Sequence, residues 1–119
     1  PAITALPAAI ATGKVLQVVN ATTTSQTTSS SSSFEDTALS ASITPSSTSN
    51  KVLAMTFSNV EVGGSASGYL TLDRGGTNLG SGSNALTYNV QIRTSNTSVS
   101  VFHNPNGAKA AITLMEIEG

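Results

Sequence analysis

Residues 86–93 read Leu-Thr-Tyr-Asn-Val-Gln-Ile-Arg. Tyr88, Val90 and Ile92 alternate strictly with Asn89, Gln91 and Arg93. An extended strand sends successive side chains to opposite faces. This stretch therefore predicts a strand with Tyr88, Val90 and Ile92 inward and the polar set outward. A helix would repeat its apolar residues every three or four positions, a spacing the sequence does not adopt.

The same period of two recurs on both sides. Upstream, Leu39, Ala41 and Ile43 alternate with Ser40, Ser42 and Thr44, and Pro45-Ser46-Ser47 turns the chain. Lys51–Asn59 is expected to place Leu53, Met55 and Phe57 on the core face, and Tyr69–Asp73 to place Leu70 and Leu72 inward. Arg74-Gly75-Gly76 predicts a tight hairpin turn, since glycine supplies the positive φ such turns need. Thr77–Leu79 would pair back, with Gly80-Ser81-Gly82 closing that hairpin. Downstream, Ser98–His103 and Ala110–Ile117 alternate again, and Asn104-Pro105-Asn106-Gly107 separates them as a turn. Lys14–Asn20 (KVLQVVN) carries apolar residues on both faces and is expected to be central. The Ala21–Ser33 Thr/Ser tract reads as a polar strand followed by a loop.

These elements make about eight short strands at a spacing of roughly 8–12 residues. Connections this short cannot carry parallel crossovers, so antiparallel pairing follows. The expected fold is all-β: an antiparallel β-sandwich over residues 13–119, of which a jelly roll is one form. Residues 1–12 (PAITALPAAIAT) differ in character. Pro7 breaks any helix and alanine is a poor strand former, so they are expected to form an extended N-terminal arm. Because the chain opens on Pro1 rather than Met, it is expected to continue a longer or processed protein.

Composition limits what the chain can do. Of 119 residues, 38% are hydrophobic but only 4% aromatic, with no Trp. So modest a core gains from association with further copies. Charged residues are 9% and the net charge is −1, against about 25% charged residues in ordinary soluble domains. Ser and Thr make up roughly a third of the chain. A polar but nearly uncharged surface packs against its own copies at little desolvation cost. It also suits glycans. With no basic run, nothing favours nucleic acid. The absence of Cys removes disulfides and thiolate metal sites. No stretch reaches the roughly 18 apolar residues that span a bilayer, so membrane insertion is not expected.

Catalytic patterns are missing. The acids are Glu35, Asp36, Glu61, Asp73, Glu116 and Glu118, all expected as solvated loop or edge carboxylates rather than the facing pair of a glycosidase. His103 is the single histidine, and no G-x-S-x-G elbow is present. It is expected at a strand end as a surface or interface imidazole. One His per chain on a three-fold axis is the remaining metal arrangement to weigh. No catalytic, cofactor or metal residues are assigned, and the chain is not expected to be an enzyme. The candidate surface contacts are Tyr69, Asp73, Arg74, Asn78 and Asn104, because sugars are gripped by planar side chains, amides and carboxylates.

Gly13–Asn20 (GKVLQVVN) precedes the Ser/Thr tract, Phe34-Glu35-Asp36, Ile43-Thr44-Pro45-Ser46 and Asn50-Lys51-Val52-Leu53. Leu70–Thr77 (LTLDRGGT) and Ile112–Ile117 (ITLMEI) complete the order. This order resembles the C-terminal domains of tail-fibre-like proteins of marine and freshwater phages. The resemblance covers most of the chain and rests on fold motifs, not chemical ones. It implies a homotrimeric, β-rich fibre tip with an adhesive or assembly role, located in the virion or outside the cell. Ile3–Ala11 then looks like the end of a fibre shaft. No binding residues transfer with the resemblance. Val15, Val19, Val52 and Ala54, expected opposite the main core, are the candidate self-assembly contacts. The alternative is a subunit of a homopolymeric extracellular fibre, joined when the arm adds as a strand to the next copy.

Overall fold

The computed structural model describes residues 13–75 and 85–119. The arm over 1–12, the return strand over 77–79 and Asn78 lie outside the described residues. Nine strands follow in order: β1 (Val15–Thr23), β2 (Thr27–Ser29), β3 (Glu35–Ile43), β4 (Lys51–Phe57), β5 (Val60–Val62), β6 (Gly68–Arg74), β7 (Leu86–Thr94), β8 (Val101–His103) and β9 (Ala110–Ile117). All pairing is antiparallel. The fold is all-β and sandwich-like, as the alternation predicted.

Three three-stranded ladders build it, ordered β1-β9-β4, β3-β7-β6 and β2-β8-β5. The first two face one another. From β3-β7-β6 come Leu39, Ala41, Ile43, Leu86, Tyr88 and Val90, and from β9 come Ala110, Ile112 and Leu114, all buried in one cluster. Val19, Ala21, Val52, Ala54 and Leu72 pack against its margin. The third ladder adds buried Val101 and Ser29. Gly68 is needed where β6 begins: a Cβ there would stand 2.9 Å from Val62 Cγ2 and 3.3 Å from Val101 Cγ1.

Three placements of apolar residues and strands differ from expectation. The first concerns β4, whose Leu53, Met55 and Phe57 are 48%, 44% and 66% exposed, while Val52 and Ala54 turn to the core. Alternation fixes which residues share a face, not which face is buried, and here both sets are apolar. Pairing with β9 decides it: Ala54 stands opposite buried Leu114 and Val52 opposite buried Glu116. Val19, opposite Leu114 on β1, also faces the core. Of the four candidate assembly residues, only Val15, at 47% exposure, lies on the outer surface. The second concerns β1, which is an edge of its ladder; β9 holds the centre. The third is Leu70, which stands opposite buried Ile92 yet is 40% exposed and outside the core cluster that Leu72 packs against.

Candidate functional site

Burial of Glu116 is the largest departure from the expected chemistry. The period of two that turns Ile112 and Leu114 inward also turns Glu116 inward, to 1% exposure. An isolated buried carboxylate is costly, so it must be paired or hydrogen-bonded. Asn50 Nδ2 donates to Oε2 at 2.7 Å, Ser46 N at 2.7 Å and Ser46 Oγ at 3.0 Å, and Gln17 Nε2 donates to Oε1 at 3.1 Å. The Asn50 hydrogen bond, joined by those from Ser46 and Gln17, outweighs desolvation and holds the carboxyl below its ordinary range. Glu116 ties β1, the β3–β4 turn and β9 together. With every donor aimed at it and little access, this is a structural anchor, not a facing acid pair.

His103 and Asn104 are both fully buried, contrary to the surface positions expected of them. Strand parity places His103 on the same inner face as Val101. Its Nε2 meets Ser58 Oγ at 2.9 Å, and burial pushes the imidazole below its ordinary range. An imidazole inside the sandwich is not available to a metal on an axis between copies. Asn104 takes a left-handed backbone with φ 56°, which asparagine tolerates better than most residues. Its Nδ2 donates to the carbonyls of Thr23 and Ser25 at 3.2 and 3.3 Å. It therefore fastens the β1–β2 connection and cannot reach a surface ligand. Among the described residues, no three His, Asp or Glu side chains gather to hold a metal.

The two outer faces of the sandwich are chemically opposite. On β1-β9-β4 the rows Val18–Met115–Leu53, Asn20–Thr113–Met55 and Thr22–Ala111–Phe57 run across the sheet, with Asn20 Nδ2 donating to Thr113 Oγ1 at 2.8 Å in the middle row. Val18 is 58% exposed, and Val15 extends the apolar surface beside Ile117. The only formal charge in these rows is Lys51, paired with Ile117 at one end. Asn20, Thr113 and Thr22 interrupt this face, and its large exposed apolar side chains, Leu53, Met55 and Phe57, line up along β4 with Val18 across the sheet; a monomer rarely leaves a large apolar patch bare.

On β3-β7-β6 the outer rows are Asp36–Gln91–Thr71 and Ser40–Asn89–Asp73. Beyond them Tyr69 pairs with Arg93, whose guanidinium carbon lies 4.0 Å from the Tyr69 ring centre and 5.3 Å from that of Phe34. Gln91 Nε2 donates to Asp36 Oδ1 at 2.8 Å. A bulge in β3 between Asp36 and Ser40 bends the strand beside these residues. Of the predicted contacts, Tyr69 and Asp73 share this face. Arg74 lies opposite Tyr88 on the other side of β6, exposed at its end. Phe34, Arg93 and Gln91 are not among the predicted contacts. Arg93 and Gln91 were legible as outward residues of 86–93, whereas the position of Phe34 depends on pairing across the sheet.

Comparison with protein-family models, curated proteins and solved structures gives no match to this chain.

Proposed function

We propose that this domain is a structural and adhesive element of the tail-fibre type, in which copies of the chain associate through the outer face of β1-β9-β4 and present the opposite face to a host surface. The exposed run of Val18, Leu53, Met55 and Phe57 carries this reading. Burying it on association would remove apolar area from water at roughly 25 cal/mol per Å². The near-absence of charge spares any desolvation of ions. The occupant is a second copy of the same face or its neighbour, and a closed trimer is the assembly proposed. Its location is the virion or the extracellular space. Buried Glu116 and His103 support a structural rather than a catalytic role.

A homopolymeric fibre is the second reading, favoured by the outer edge of β4, which has no strand partner among the described residues. A strand from another copy could add there. Solution mass by light scattering separates the two, using the full chain and a version beginning at Gly13. Trimers from both support the fibre tip. A polymer that becomes a monomer on removal of 1–12 supports the strand-joined fibre. Monomers from both at high concentration overturn self-association.

A further inference from the structure

We infer that the outer face of β3-β7-β6 binds a neutral saccharide, centred on Arg93 between Tyr69 and Phe34. This deepens the adhesive half of the proposed function and rests on that half alone, since self-association uses the other face.

The inference starts from Arg93. Its guanidinium is held against two aromatic rings, yet among the described residues it has no hydrogen-bond or ion-pair partner. Stacking covers the plane of the group and leaves its edge donors available, already oriented. Tyr69 and Phe34 are each 40% exposed. A pyranose ring offers an apolar C–H face for such rings and hydroxyls around its rim. Each hydroxyl both donates and accepts. The protein supplies both complements within one face: donors from Arg93 and Gln91, acceptors from Asp36 and Asp73. Gln91 is already fixed by its bond to Asp36, so little side-chain freedom remains to be lost on binding.

Charge selects between saccharide classes. Asp36 and Asp73 both lie on the face that carries Arg93. A uronate carboxylate drawn to Arg93 would meet Asp36 in the adjacent row, with Asp73 one row further along the same face, whereas neutral hydroxyls satisfy both signs. The ligand is therefore a neutral hexose or deoxyhexose oligomer.

The full chain should be applied to an array of neutral hexose and deoxyhexose oligomers and uronate oligomers, followed by titration of retained glycans. Neutral oligomers should be retained, and Tyr69→Ala and Arg93→Gln should each weaken binding at least tenfold. Melting temperature and solution mass should stay unchanged. Phe34→Ala is the second aromatic test should Tyr69→Ala disturb the edge of the sheet. Retention of uronate oligomers alone overturns the assignment of class. Absence of retention, or retention unaffected by all three substitutions, overturns the site. Mass is read on the same samples, so loss of glycan binding with assembly intact leaves the association reading standing, and the converse holds equally.

Discussion

Asn50 and Glu116 are buried together, with the Asn50 amide donating to the Glu116 carboxylate at 2.7 Å. The bond joins the residue just before β4 to β9, across the seam where the β3–β4 turn crosses the sandwich. Glu116→Ala would strand the Asn50 amide and the Ser46 N–H in a closed site. Unsatisfied buried groups cost about 1–3 kcal/mol each, so a loss of about 2–4 kcal/mol is expected in urea unfolding. Glu116→Gln should also destabilise, because it introduces N–H donors where only donors converge.

Acid stability should fall in two stages. His103 has a folded value below its ordinary 6.5, so the unfolded chain takes up that proton first. Its contribution is complete above about pH 6.5 and is lost as pH falls from there through the folded value. Glu116 likewise lies below its ordinary 4.5, and its contribution is lost at lower pH still, through its own folded value. Melting temperature against pH should show both declines. His103→Gln should remove the upper one and Glu116→Gln the lower.

Gly68 has no room for a methyl group. Val62 and Val101 are stiff, β-branched neighbours, and their contacts at 2.9 and 3.3 Å leave no slack. Gly68→Ala should cost about 1–3 kcal/mol by overpacking, measured as a lower denaturation midpoint at unchanged slope.

The double substitution Leu53→Ser with Phe57→Ser should separate folding from association. Both side chains face outward, so unfolding of the separated subunit should change by less than about 1 kcal/mol. Sedimentation should instead show the assembly shifting to monomer. Leu114→Ala, at 0% exposure in the core, should do the reverse, costing about 2–5 kcal/mol of fold stability.

The class of fold was legible because alternation is local. Leu39, Ala41, Ile43, Tyr88, Val90 and Ile92 each declare their face against hydroxyl or amide neighbours. Where alternation set large apolar residues against small ones, as in Leu53 against Ala54, local reading had no means of choosing, and the partner strand chose. Glu116 and His103 show the same limit from the polar side. Their parity with Leu114 and Val101 was visible, but their burial rests on hydrogen-bond partners, Asn50 and Gln17 for Glu116 and Ser58 for His103, that only folding brings near. The Arg93 stack likewise assembles residues from three separate strand regions.

The central position of β9 sets an order of events in the cell. On the ribosome, β1 and β4 are synthesised long before the segment that joins them. Until Ala110–Ile117 emerges, neither can close its half of the sandwich, and non-local closure of this kind is slow. The face formed by Val18, Met115 and Leu53 does not exist on a nascent chain, because its middle column is made last. Under the proposed self-association, that face becomes available only on chains synthesised through β9, so the last strand made would also be the one that completes the contact surface.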